Sequence, residues 1–306
     1  EALASASEIL DDMLTKDPND LDATLALVLV LGRQGKFDEA QAIIDELRAA
    51  DPQALDVTVA QLRLYVQQGD AERAMRLCDE MVEDRQNAPA YAMRGWSRTV
   101  LDRPDEALAD FTRAVELEPN TPAWRLMRAG LYRQLQRLSE ALADARRALA
   151  IMPNSLNAQR LTVSLLLESG GRAESAEARA LLTRALDANP QDAGLRVLQA
   201  RLLGREGTAA ATEQARRELT AVTRSHPNLV EAWELLIQLE LSRDPDSAVI
   251  LANRGLASNP GSQSLLLLKA QAELRVSPSV AVLTLEGLRA RDPDNLGILS
   301  LLARAH

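Results

Sequence analysis

Two histidines, one cysteine and 44 carboxylates are the groups in this 306-residue chain able to move protons, attack an electrophile or hold a metal. Such chemistry needs an acid, a base or several ligands converging on one substrate atom. His226 stands directly before Pro227 in a turn sequence and His306 closes the chain, so neither is spaced to work with a second ligand. The single cysteine, Cys78, excludes an internal disulfide framework. Asp11-Asp12 and Asp38-Glu39 begin or flank helical stretches, where the N-terminal dipole or solvent accounts for them. Gly170-Gly171 reads as a turn and not as a phosphate cradle. The sequence therefore predicts no catalytic, cofactor-binding or metal-binding residue, and no enzyme activity of this chain itself.

The elements that position everything else recur at a fixed period. A small residue falls at Ala6, Ala40, Ala74, Ala107, Ala141, Ala178, Ala215, Ala248 and Ala281, at spacings of 34, 34, 33, 34, 37, 37, 33 and 33. Twelve residues after each alanine stands a proline, from Pro18 to Pro293, with Gln86 in the one exceptional place. The phrase Pro104 to Pro119 shows the unit plainly: one amphipathic helix between two prolines, repeated 34 residues later with Ser139-Glu140-Ala141 for Asp105-Glu106-Ala107. Self-similarity of this period is the signature of stacked helical hairpins.

The sequence resembles the tetratricopeptide repeat family. In residues 88 to 121 Tyr91 occupies the first aromatic position, Gly95 the small one, Ala107 and Ala114 the two alanines of the second helix, Phe111 the place between them and Pro119 the close. Tyr65, Trp233 with Leu236, Tyr132, Ala148 and Ala185 keep parts of the same pattern elsewhere. Arg94 and Arg98 replace the usual Leu and Tyr, and Trp124 comes one residue early, which blurs the packing expected there. The resemblance implies an all-α, right-handed superhelical solenoid of helix-turn-helix repeats, helix A followed by helix B. The expected division is a half-repeat at 1–20, full repeats at 21–54, 55–87, 88–121, 122–155, 156–192, 193–229, 230–262 and 263–295, and a half-repeat at 296–306, in one continuous domain. Cys78 falls where the family places an apolar residue of helix B, so a small core residue is expected.

Composition agrees with thin stacked layers: aromatics are only 3% and no low-complexity linker divides the chain. The longest apolar runs, Leu25 to Leu31 and Leu265 to Leu268, are far short of the roughly 20 residues that cross a bilayer. No membrane insertion is expected. Net charge is −9, concentrated in residues 1–153, and an acidic chain without a basic stripe repels phosphate backbones, which argues against nucleic acid. Asn19-Asp20, Asn120-Thr121, Asn154-Ser155 and Gln191-Asp192 read as caps of helices A. The two longer repeats hold three extra residues, in a longer turn or in an added part of helix B.

Residues 1–16 read as a helix B without its helix A, and residues 296–306 as the start of a helix A without its helix B. These raw ends suggest a fragment of a longer protein, and their uncovered apolar faces suggest end-to-end self-association.

The family resemblance implies a protein–protein interaction scaffold that holds a peptide segment or partner surface in its concave groove. The alternative is a substrate-recruiting arm of a larger multidomain enzyme or secretion component whose active part lies outside these residues. The lysine and asparagine clamp of the family's chaperone-binding members is missing, because Leu25, Leu29, Val59, Arg63, Ala92, Trp96, Leu126 and Gly130 stand at its positions. In this family one stripe of helix A faces the groove. Here that stripe carries eight arginines against five acids, in a chain of net charge −9. Arg133, Arg160, Arg201 and Arg205 come from three successive repeats, with Trp96 one repeat earlier as an exposed aromatic anchor. An acidic partner segment is the expected ligand, since guanidinium groups grip carboxylates in pairs. Reversing Arg160 and Arg201 to Glu is expected to abolish binding and leave the melting temperature nearly unchanged.

Overall fold

The computed structural model describes residues 2–52 and 54–305, which form eighteen α-helices and, among those residues, no strand. Contacts divide the chain into two compact units, Glu1–Met152 and Pro153–His306. The first holds α1 (Ala2–Lys16), α2 (Leu21–Arg33), α3 (Phe37–Ala50), α4 (Leu55–Gln68), α5 (Ala71–Arg85), α6 (Ala88–Val100), α7 (Pro104–Leu117), α8 (Pro122–Gln134) and α9 (Leu138–Ile151). The second holds α10 (Leu156–Ser169), α11 (Arg172–Ala188), α12 (Ala193–Glu206), α13 (Ala209–Ser225), α14 (Val230–Leu241), α15 (Pro245–Ser258), α16 (Gln263–Val276), α17 (Pro278–Arg289) and α18 (Leu296–Ala305). No helix among the described residues is long and apolar enough to cross a membrane.

The alanine register sits where helices cross. From Ala40 to Ala281 every one of those alanines is fully buried, because a larger side chain there would force the two helices of a hairpin apart. The same closeness explains Gly95: a Cβ at that site would lie 3.0 Å from the Phe111 ring and 3.1 Å from the Ala107 carbonyl. Leucine, isoleucine and valine fill the seams, with Ile44, Leu62, Leu165, Leu219 and Leu285 fully enclosed. A helix stripe cannot be covered by its own hairpin partner alone, so within each unit successive hairpins bury their remaining apolar faces on one another.

Turn chemistry ends each helix. Gly69, Gly170 and Gly207 take the left-handed conformation at the C-caps of α4, α10 and α12. Gln86, at the place where the other repeats have proline, also adopts a positive φ of 44°, and Asp102 turns the α6–α7 corner with φ 56°. Asp20, Ser155 and Asp192 cap α2, α10 and α12 by accepting the amides of Ala23, Ala158 and Leu195. Thr121 does not cap α8; its hydroxyl donates instead to Glu118 Oε2 at 3.0 Å. The extra residues of the two longer repeats lengthen helix B: α11 and α13 have 17 residues where α7 and α9 have 14.

Candidate interaction surface

In the first unit Arg94 and Arg98 of α6 and Arg128 of α8 turn out to be structural. Asp110 of α7 is only 3% exposed, and both arginines that break the apolar pattern converge on it. Arg94 Nε and Nη2 donate to its carboxylate at 3.0 and 2.8 Å, and Arg98 Nη1 at 2.5 Å. The remaining side of Arg94 is filled as well, with Nη1 donating to Asp79 at 3.1 Å. One repeat later Arg128 repeats the arrangement, with Nε and Nη2 on Asp144 at 2.6 and 2.9 Å and Nη1 on the Thr112 hydroxyl at 3.2 Å. Bonding to these aspartates holds the guanidinium groups of Arg94 and Arg128 even more firmly protonated than usual. The packing expected to be blurred at Arg94 and Arg98 is thus a closed ionic layer.

Trp96 is half-buried and not an exposed anchor. Its ring packs on the Leu62, Ala74 and Cys78 cluster on one side and the Ala107, Phe111 and Leu131 cluster on the other. Arg133 lies half-buried in the last turn of α8, and the neighbouring Tyr132 ring has Arg137 over it at 4.7 Å and Arg128 at 5.8 Å. Cys78 is fully buried, 3.4 Å from the Ser97 hydroxyl, and burial pushes its thiol up to about 11 despite that hydrogen bond. A thiol held protonated in a core is a poor nucleophile.

In the second unit the structure places Arg160 on α10 and Arg201 and Arg205 on α12, and each reaches across to a neighbouring repeat. Arg205 Nη1 donates to the Leu167 carbonyl in the last turn of α10. Arg275 does the same to Leu241 at the end of α14, at 2.7 Å. Cations at helix C-termini meet the negative end of the dipole. Arg201 Nη2 pairs with Glu231 of α14 at 2.5 Å. Arg160 holds both oxygens of Asp192, through Nε at 2.9 Å and through Nη2. Burial works to raise the Asp192 carboxyl, but the bonds from Arg160 and from the Leu195 and Gly194 amides outweigh it and hold it below the usual carboxylate range. These pairs correct the expectation that reversing Arg160 and Arg201 to Glu leaves stability untouched, since Asp192 and Glu231 would then face like charges.

Beside the Arg160–Asp192 pair lies a cleft of about 660 Å3, walled by the turns at 191–194 and 225–229. Arg160, Asp192, Gly194, His226, Asn228 and Leu229 contribute to its lining. Asp192 reads in sequence only as a cap, and His226 only as a turn residue. Their meeting depends on how two successive inter-repeat turns stack, which no local spacing encodes.

The architecture is that of known helical repeat proteins. Two tetratricopeptide repeat family profiles match, over residues 1–62 and 93–155. No curated protein matches the sequence. Among solved structures, the APC/C hetero-tetramer Cut9–Hcn1 is similar over 96% of this chain and 58% of that one, at 16% identity and a TM-score of 0.66. A tetratricopeptide repeat protein from Parabacteroides merdae is similar over 81% of this chain and 97% of its own, at 17% identity and 0.67. Yeast Tom70 is similar over 99% of this chain and 62% of its own, at 18% identity and 0.60. The chain thus spans about three fifths of the length of Cut9–Hcn1 and Tom70 chains. Such identities speak for the fold alone, that of a helical repeat solenoid; the two matching profiles identify tetratricopeptide repeats over residues 1–62 and 93–155, where the alanine and proline register also runs.

Proposed function

We propose that this chain is a protein-interaction scaffold that binds a peptide segment or partner surface along the helix A stripe, in the groove this family turns to its inner side. The observation that carries the reading is the contrast between the two sets of arginines. Arg94, Arg98 and Arg128 of the first unit are enclosed around Asp110 and Asp144, whereas Arg160 keeps 39% of its side chain exposed and Arg201 25%. Charged groups held in place yet open to solvent are what a partner can use. In the second unit an acidic segment is the chemistry that Arg160, Arg201 and Arg205 would take; in the first, Arg133 and Trp96, both half-buried, are the corresponding stripe residues. Tetratricopeptide repeat proteins are generally non-catalytic scaffolds, which accords with the scattered titratable groups.

The test is to capture partners with this chain as bait, identify them by mass spectrometry and then measure one purified partner against the wild type and an Arg133→Gln/Arg201→Gln variant. The reading expects weaker binding by the variant and a fall in affinity with added salt. Equal affinity for both proteins would move the site off this stripe. Exposed Ile9, Met13, Leu296 and Leu299 support the further proposal of end-to-end self-association, which light scattering over a concentration series checks.

A further inference from the structure

The cleft beside Arg160 repeats one half of an arrangement that the first unit completes. Arg94 binds two carboxylates at once: Asp110 takes its Nε and Nη2 side and Asp79 takes Nη1. Arg128 is likewise filled on both sides, by Asp144 and by the Thr112 hydroxyl. Arg160 presents the same Nε and Nη2 side to Asp192, but among the described residues its Nη1 has no hydrogen-bond partner. The guanidinium instead borders an open cleft of about 660 Å3, ample for a carboxylate side chain with the chain that carries it.

The geometry points to a carboxylate-binding site in this cleft, in which Arg160 Nη1 takes an aspartate or glutamate side chain of a partner and Asp192 is the positioning residue that fixes the guanidinium. The inference rests on the scaffold reading and locates its acidic contact at the edge formed by two inter-repeat turns. Asp192 is well suited to positioning. It is itself anchored as the cap of α12, accepting the Leu195 amide at 2.8 Å, so both atoms of the Arg160 fork are tied to a helix end. Gly194 completes the seat. A Cβ at that position would lie 2.9 Å from Arg160 Nε, so a larger residue there would make the guanidinium shift from the first turn of α12. The polar rim opposite comes from Ser225, His226 and Asn228, with the Ser225 hydroxyl 2.9 Å from His226 Nδ1. A partner carboxylate would therefore exchange water for a charge-assisted bond in a partly enclosed site.

The experiment measures binding of a fluorescent, glutamate-rich peptide with an amidated C-terminus to the full chain by anisotropy. A glutamine-rich peptide with a free terminal carboxylate serves as the second arm. Wild type is expected to bind the first and not the second, with shifts of the His226 and Asn228 amide resonances. Arg160→Gln is expected to weaken binding about ten-fold, the usual weight of one bond to a charged group. Gly194→Ala keeps every charge and adds a good helix former, yet is expected to weaken binding comparably by pushing the guanidinium aside. Unchanged affinity in both variants, binding of the glutamine-rich peptide alone, or no binding by wild type would each overturn the assignment. Those outcomes bear on the acidic contact at Arg160 and leave partner binding by the scaffold to its own test, which uses Arg133, Arg201 and a native partner.

Discussion

Asp110 shows how much a single residue decides in a structure made of thin layers. Two arginines in the middle of a hydrophobic pattern are tolerable only because one carboxylate, nearly without solvent contact, answers both. Removing one member of a buried pair leaves the other charge uncompensated, which is more damaging than never having had the pair. Asp110→Ala is expected to lower stability by about 3 kcal/mol, read as the shift in urea unfolding midpoint at constant slope. Glu72→Ala, which removes the exposed partner of Arg76, is expected to cost less than about 1 kcal/mol. Comparable losses in the two variants would contradict the closed ionic layer. Asp192 supplies a test in pH. Its carboxyl titrates lower in the folded chain than it would unfolded, so its contribution is complete above the unfolded value and is lost as pH falls through the folded one. The melting temperature of the wild type should therefore exceed that of Asp192→Asn at neutral pH, and the gap should close as acid protonates the Asp192 carboxyl in the folded chain. A gap that persists at low pH would assign the Asp192 contribution to shape and not to charge.

At the scale of the element, what could be read in advance was whatever repeats. The helices, their order and their buried faces follow from alanines and prolines at locked intervals, because an α-helical hairpin of about 34 residues has few ways to pack on its copy. What could not be read was any contact between residues about 15 to 40 apart whose pairing depends on side-chain reach, since arginine on a stripe looks the same whether solvated or bonded. Arg94 and Arg98 look like defects in the pattern and Trp96 like a free aromatic; the partners that decide each case lie on other elements. Glycines show the same division, and two of them should respond with opposite signs. Gly130 sits inside α8 with nothing within 4 Å of a Cβ, so Gly130→Ala is expected to stabilise by about 0.5 to 1 kcal/mol. Gly170 ends α10 at φ 75°, where an L side chain is strained, so Gly170→Ala is expected to destabilise by about 1 kcal/mol. Thermal melts of the two variants check the signs directly, and a shift in the same direction for both would refute the reading of α10's end as a left-handed cap.

For the molecule as a whole, charge distinguishes the two units more clearly than fold does. Residues 1–152 carry 27 acids against 18 bases, whereas residues 153–306 carry 17 of each. The first unit must therefore work against its own surplus of negative charge, and only part of that surplus is answered locally, by the arginines around Asp110 and Asp144. The second is balanced, and its helix A arginines are spent on braces between repeats: Arg160 to Asp192, Arg201 to Glu231, Arg205 to Leu167 and Arg275 to Leu241. Screening acts on these two situations in opposite senses. Raising salt from about 20 mM to about 500 mM shortens the Debye length from roughly 20 Å to under 5 Å, weakening diffuse repulsion in the first unit and the partly exposed ion pairs in the second. Hydrogen exchange followed by mass spectrometry should then show slower exchange in α2 to α5 at high salt and unchanged or faster exchange in α10 to α14. The size of the effect is bounded by the many small pairs involved, each worth well under about 1 kcal/mol, so a change of a few-fold in rate is expected and not a wholesale transition. Equal slowing in both units would mean that salt acts through hydrophobic burial common to all repeats, and the uneven charge would then have no bearing on their stability.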